Sequence, residues 1–127
     1  MPKIIWKSEP EEQDYSAAAD YLSLLAGEAL VDHLVERLRK APVTHGKAKD
    51  IIRASRLPLL SAEDLEVAKE LAKVKAKKPL SPILLVQGDI TRGVALQVAD
   101  GYHRICASYH LGEDNDIPYR IISLDGE

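Results

Sequence analysis

A chain of 127 residues is long enough to build a hydrophobic core without disulfides or metal, and a single domain is the default. With 20 acidic and 17 basic residues the net charge is −3, so there is no general attraction to nucleic acid or anionic membrane and any phosphate binding has to be local. One cysteine excludes an intrachain disulfide, and neither a cationic-apolar leader nor a bilayer-length apolar run is present; a soluble, reducing compartment, most simply the cytoplasm, is the expectation.

Residues 1–13 open with the apolar patch Ile4-Ile5-Trp6 and turn acidic at Glu9, Glu11 and Glu12, which suits a short edge strand or an ordered arm with Trp6 buried. From Asp14 to Lys40 the spacing is helical. Leu24, Val31, Leu34, Val35 and Leu38 keep one apolar face, Asp14 is the expected cap, Gly27 a point of division, and Ala41-Pro42 the stop. Such a stripe is expected to pack on the protein's own core rather than form a dimer contact. Thr44-His45-Gly46-Lys47 reads as a polar connector without phosphate-loop spacing. The four histidines, His33, His45, His103 and His110, show no metal-ligand spacing, so no metal site is expected.

Ser61-Ala62-Glu63-Asp64 has the form of a helix start, with Ser61 as cap and Leu65, Ala68, Leu71 and Ala72 as the buried face of a helix reaching Lys77. Lys69, Lys73, Lys75, Lys77 and Lys78 gather towards its end as a solvated face. Strands are expected over residues 83–87, 94–99 and 118–123, with a fourth from near the N-terminus or the segment that opens the core. Gly88-Asp89 to Arg92-Gly93 then serves as a hairpin-like loop, and Gly112 ends the last helix. The fold class is α/β in the broad α+β sense: a small mixed sheet with packed helices.

The most informative stretch is Ala99-Asp100-Gly101-Tyr102-His103-Arg104-Ile105-Cys106-Ala107. An apolar strand ends at Ala99, and Tyr102, Ile105, Cys106 and Tyr109 then recur at the spacing of one helix face, with Cys106 expected as a buried small hydrophobe. Gly101 therefore sits at a strand-to-helix corner, where the free N–H groups of the first helical turn and the positive end of its dipole receive anions, and where glycine lets a ligand approach the backbone. His103 and Arg104 in that same turn add side-chain donors, and arginine can grip a phosphate or carboxylate with two parallel hydrogen bonds; the alternative is an ordinary strand-Gly-helix corner with Arg104 as a solvated surface residue and His103 only capping or packing. On the anion-site reading Arg104→Ala weakens ligand binding and leaves the stability of the free protein nearly unchanged.

Residues 51–122 resemble the ParB/sulfiredoxin superfamily, whose members carry a Gly-x-His-Arg or Gly-Glu-Arg-Arg element at a strand-to-helix corner. Ile51-Ile52-Arg53 with Leu57-Pro58-Leu59-Leu60 matches the opening segment, Ser61 to Lys77 the first helix, Ser81 to Val86 the central strand, Asp100 to Arg104 the motif, and Ile117 to Ile122 the closing strand. On this division residues 1–46 are an N-terminal arm and helical extension, and residues 47–123 the core. Tyr102 stands where sulfiredoxins have their catalytic cysteine, which removes that sulfur chemistry. The chain also stops five residues after Ile122, short of the helix-turn-helix domain with which ParB proteins read DNA.

The resemblance implies a nucleotide or other phosphorylated small molecule bound at Gly101, Tyr102, His103 and Arg104, with Asp100 and Arg53 in support. The residues themselves require no cofactor; a nucleotide with Mg²⁺ is the candidate the resemblance implies. Some relatives hydrolyse the nucleotide or phosphorylate a hydroxylated substrate, and Asp100 is then the nearest candidate base, although no catalytic residue is assigned. A homodimer is compatible with the resemblance. The alternative is a non-enzymatic dimerisation or protein-interaction module that shares only the fold. DNA binding or nuclease action is disfavoured by the charge balance.

Overall fold

The computed structural model describes residues 3–124. Helices α1 (Glu12–Leu22) and α2 (Glu28–Lys40) come first, then strand β1 (Thr44–Lys47), helices α3 (Ala48–Ser55) and α4 (Leu65–Lys75), strands β2 (Ile83–Val86) and β3 (Gln97–Asp100), helix α5 (Tyr102–Leu111) and strand β4 (Asp116–Ile122). The strands form one mixed sheet in the order β1-β4-β2-β3, with β4 and β2 parallel and both outer pairs antiparallel. The chain is thus a small α+β domain.

The run Ile83-Leu84-Leu85-Val86 explains the layering. A strand with apolar residues at every position has no face to give to water, and it belongs in the middle of a covered sheet. Leu84 and Val86 point to one side, where they meet Tyr15, Ala18 and Leu22 of α1 and Val31, Leu34 and Leu38 of α2. Ile83 and Leu85 point to the other side, against Ala48 and Ile51 of α3, Ile105 of α5 and Ile117 of β4. Helix α4 lies outside this second layer, with Val67 against Cys106 and Ala107. The N-terminal helices therefore pack on the sheet of their own chain. Trp6 packs as well: the arm pairs with Leu80 through Lys7 N–H to Leu80 O at 2.8 Å and Leu80 N–H to Ile5 O at 2.8 Å.

Several local expectations are corrected. Thr44-His45-Gly46-Lys47 is the edge strand β1, paired with Asp116 to Tyr119; this pairing comes from a partner some 70 residues away, which local polarity does not register. Glu11, one residue before the helix, is the cap position of α1, and Asp14 lies inside its first turn with Oδ2 accepting the Glu11 N–H at 2.8 Å. Leu24 stands 85% exposed in the turn between α1 and α2. Helix α4 starts at Leu65, because Asp64 accepts from the N–H groups of Glu66 and Val67 while Ser61 Oγ closes only the preceding turn onto Glu63 N–H. Its buried residues are Val67 and Val74, with Leu71 and Ala68 half-buried, while Leu65 is 69% exposed and Ala72 is exposed as well. Val67 and Val74 lie on a different side of the helix from Leu65 and Ala72, since each residue advances it by about 100°, and the contact with Cys106 and Ala107 selects that side.

Candidate functional site

Strand β3 ends at Asp100 and α5 begins at Tyr102, with Gly101 between them at φ 111°, in the left-handed region. A side chain here would meet Ile83: a Cβ on Gly101 would lie 2.3 Å from Ile83 Cγ2 and 3.2 Å from Arg104 Nη2. The glycine is therefore required by the backbone turn and by the packing of Ile83. The corner has no side-chain cap and no acidic residue in the first turn of α5, so the leading N–H groups of the helix keep their donor capacity.

Arg104 is 9% exposed and turned inward. Its Nη1 donates to Ser81 O and Ser81 Oγ, both at 2.6 Å, and Nη2 donates to Asp100 Oδ2 at 2.5 Å. Asp14 Oδ1 of α1 stands 3.5 Å from the same Nη2. Arg104 thus ties α5 to the approach of β2, to the end of β3 and to α1. Replacing it with alanine would leave the buried Asp14 and the half-buried Asp100 carboxylates without their cation, so a nearly unchanged stability is not the expected result for that variant.

Two carboxylates on one guanidinium leave an excess of negative charge. Asp100 shows the consequence: burial first of all, and the neighbouring Asp14 after it, push its carboxyl up to about 6 against the pull of Arg104. A carboxyl at that value takes up and releases a proton close to neutral pH, which is the property a general acid or base needs.

The other expected residues are placed less centrally. His103 is half-buried in the first turn of α5 and has no hydrogen-bond partner among the described residues; its ring lies 5.5 Å from that of Tyr102. The Tyr102 hydroxyl donates to Pro58 O at 2.5 Å, holding the segment that leads to α4. Arg53 sits on α3 beside Asp50 at 3.4 Å and lines a separate groove with Lys49, Ile52 and Arg56. It is not brought to the corner. Among the described residues no group of three or more His, Cys, Asp or Glu side chains is placed to hold a metal ion, and no helix is long and apolar enough to cross a membrane.

A cleft of about 190 Å³ opens beside Arg104, lined by Asp14, Ser81, Glu70 and Lys73 among others. The sequence does not mark Asp14 or Ser81 as part of the Gly101 corner. For Asp14 a signal exists: Asp14, Ala18 and Leu22 fall at i, i+4 and i+8, so an acid interrupts the buried stripe of α1, and buried acids need a partner. For Ser81 there is no comparable signal, because the contact depends on how β2 and α5 meet.

The fold and the corner together define a small α+β domain with a buried arginine–carboxylate cluster at a strand-to-helix junction. Comparison with protein-family models, with curated proteins and with solved structures finds no match to the chain.

Proposed function

We propose that the chain is a ParB/sulfiredoxin-like domain that binds the phosphate of a nucleotide or other phosphorylated small molecule at the Asp100 to Arg104 corner, in a reducing compartment such as the cytoplasm. The observation that carries this reading is the uncapped start of α5 at Gly101, with unpartnered His103 in its first turn and Arg104 Nη2 against the same glycine. The N–H groups of the first turn and His103 make the outer contacts, and Arg104 contributes from the inside. Asp100 is the nearest candidate base if the bound phosphate is transferred or hydrolysed, and its carboxyl, pushed up to about 6, supports that role. Mg²⁺ would accompany a nucleoside triphosphate as part of the ligand.

The second reading, an interaction module that shares only the fold, is favoured by the occupied state of Arg104 and by the exposure of Leu24 and Leu25 at the turn between α1 and α2. Calorimetric titration with nucleoside triphosphates, with and without Mg²⁺, separates the two. Saturable binding is expected, weakened in His103→Ala by ~1.5–3 kcal/mol, the range for a hydrogen bond to a charged group. His103 is the appropriate probe because its loss breaks no hydrogen bond among the described residues. No saturable binding under either condition leaves the interaction module as the reading.

A further inference from the structure

The helices on the two faces of the sheet carry opposite charge. From Ser8 to Glu36, a stretch that takes in α1 and most of α2, there is no lysine or arginine. Asp20, Glu28 and Asp32 of this stretch stand exposed, with no ion pair among the described residues. From Lys47 to Arg56, which runs through α3, the balance is reversed: the cations are Lys47, Lys49, Arg53 and Arg56, and the only acid is Asp50.

The two regions also differ in shape. The turn between α1 and α2 projects Leu24 and Leu25, 85% and 60% exposed, with Asp20 just before it and Glu28 just after. Adjacent leucines this exposed, rimmed by charge, mark a surface that another surface covers. The α3 side is concave: a groove of about 600 Å³ has Ile52, Leu57 and Tyr109 among its walls, together with Lys49, Arg53 and Arg56. Arg53 meets only Asp50, at 3.4 Å and largely in solvent, a pairing worth little and readily exchanged. Arg56 has no carboxylate among the described residues; Nη1 donates to Gly93 O at 2.8 Å, which leaves its other donors for a second acceptor. An arginine stands here although the backbone is left-handed, at φ 59°, where glycine costs least.

We propose that the α3 groove receives the Leu24-Leu25 turn of a second copy of this chain, with the leucines on its apolar walls and Asp20 and Glu28 facing Arg53 and Arg56. Both the shape and the charge of the two surfaces are complementary, and one chain carries both. The same copy cannot close the contact on itself, because α1 and α2 cover one face of the sheet and α3 lies on the other. The contact is therefore head-to-tail: each pair of copies leaves one turn and one groove open, and further copies add until a ring closes. A contact of two leucines and a few exposed charges belongs to the weak, reversible class. This association is independent of the phosphate reading of the Gly101 corner.

Sedimentation velocity of the full chain, from ~10 μM to ~1 mM in ~0.05 M NaCl, tests it. The weight-average mass of the wild type should rise with concentration and fall back towards the monomer in ~0.5 M NaCl, where exposed charges are screened. The double variant Leu24→Ser/Leu25→Ser removes the turn's apolar surface, and Arg53→Glu reverses the charge of the groove; all three positions are exposed, so the fold is kept. Each variant alone should associate at least about tenfold more weakly than the wild type. An equimolar mixture of the two should recover association and stop at the dimer, because only the intact groove of the first and the intact turn of the second can meet. If Arg53→Glu associates like the wild type while the leucine variant does not, the leucines pair with each other and the groove is not their receptor. If the mixture recovers nothing, the head-to-tail arrangement is wrong. A wild type that stays monomeric throughout the series overturns the proposal and leaves the phosphate reading untouched.

Discussion

At Gly101 three demands meet on one backbone position: a left-handed turn, the flank of Ile83, and Nη2 of Arg104. The first two are satisfied only by the absence of a side chain, whatever ligand the corner takes. Gly101→Ala is therefore expected to destabilise the protein by about 2–4 kcal/mol, from the strained φ together with overpacking against Ile83. Urea denaturation gives the value, and a change below about 1 kcal/mol would mean that Ile83 and the turn can move aside. Arg104 teaches a related lesson about residue type. An Arg at the start of a helix reads as a surface donor, but here Asp100 and Asp14 compensate its charge and two oxygens of Ser81 accept from its other nitrogen, so it is held inside.

Between elements, the Asp14–Arg104–Asp100 cluster joins α1 to the β3–α5 corner and makes that junction sensitive to pH. The Asp100 carboxyl rises from its usual 3.8 to about 6, so it holds its proton more tightly in the folded state than in the unfolded one. Its contribution to stability is therefore complete below pH 3.8 and is lost as the pH rises through about 6. Glu12, Asp89 and Asp114 are held below the usual carboxyl range by hydrogen bonds from Arg39, Thr91 and Lys49, and they act in the opposite sense. The difference between wild type and Asp100→Asn isolates the cluster. That difference should move against the wild type across this window and level off above it, and the same drop should be shallower in an Asp14→Asn background. Stability curves measured at a series of pH values check this; a flat difference would mean that the carboxyl is better solvated than its burial implies.

For the molecule as a whole, β2 is the spine. It is bonded on both edges, to β4 and β3, and covered on both faces, by α1 and α2 on one side and α3 and α5 on the other. Strand β1 is bonded on one edge only, and three of its four residues are exposed. Native-state hydrogen exchange should therefore find the slowest strand amides in residues 83–86 and the fastest in residues 44–47, because local opening costs least where the fewest buried contacts are lost. Equal protection in the two strands would show that the sheet opens only as a unit.

Much of this architecture is legible in the residues. The apolar run of β2, the corner at Gly101 and the stop at Gly112 are local signals of periodicity and backbone freedom, and the interior follows them. The start of α4 is ambiguous in the sequence because Ser61 and Asp64 both have cap chemistry, and its buried face is set by the packing of Val67 against Cys106 and Ala107 of a distant element. The sequence calls for a fourth strand but does not mark Thr44–Lys47 as that strand, because its pairing partner is β4 and not a neighbour in the chain. At the corner, the candidate residues Gly101, His103 and Arg104 are local in sequence, while the company they keep is not. Asp14 and Ser81 reach Arg104 across 90 and 23 positions of the chain. A sequence determines by itself what depends on short-range periodicity and dihedral preference; which charges face one another is decided only when separate elements dock, since burial and Coulomb energy depend on distance in space and not along the chain.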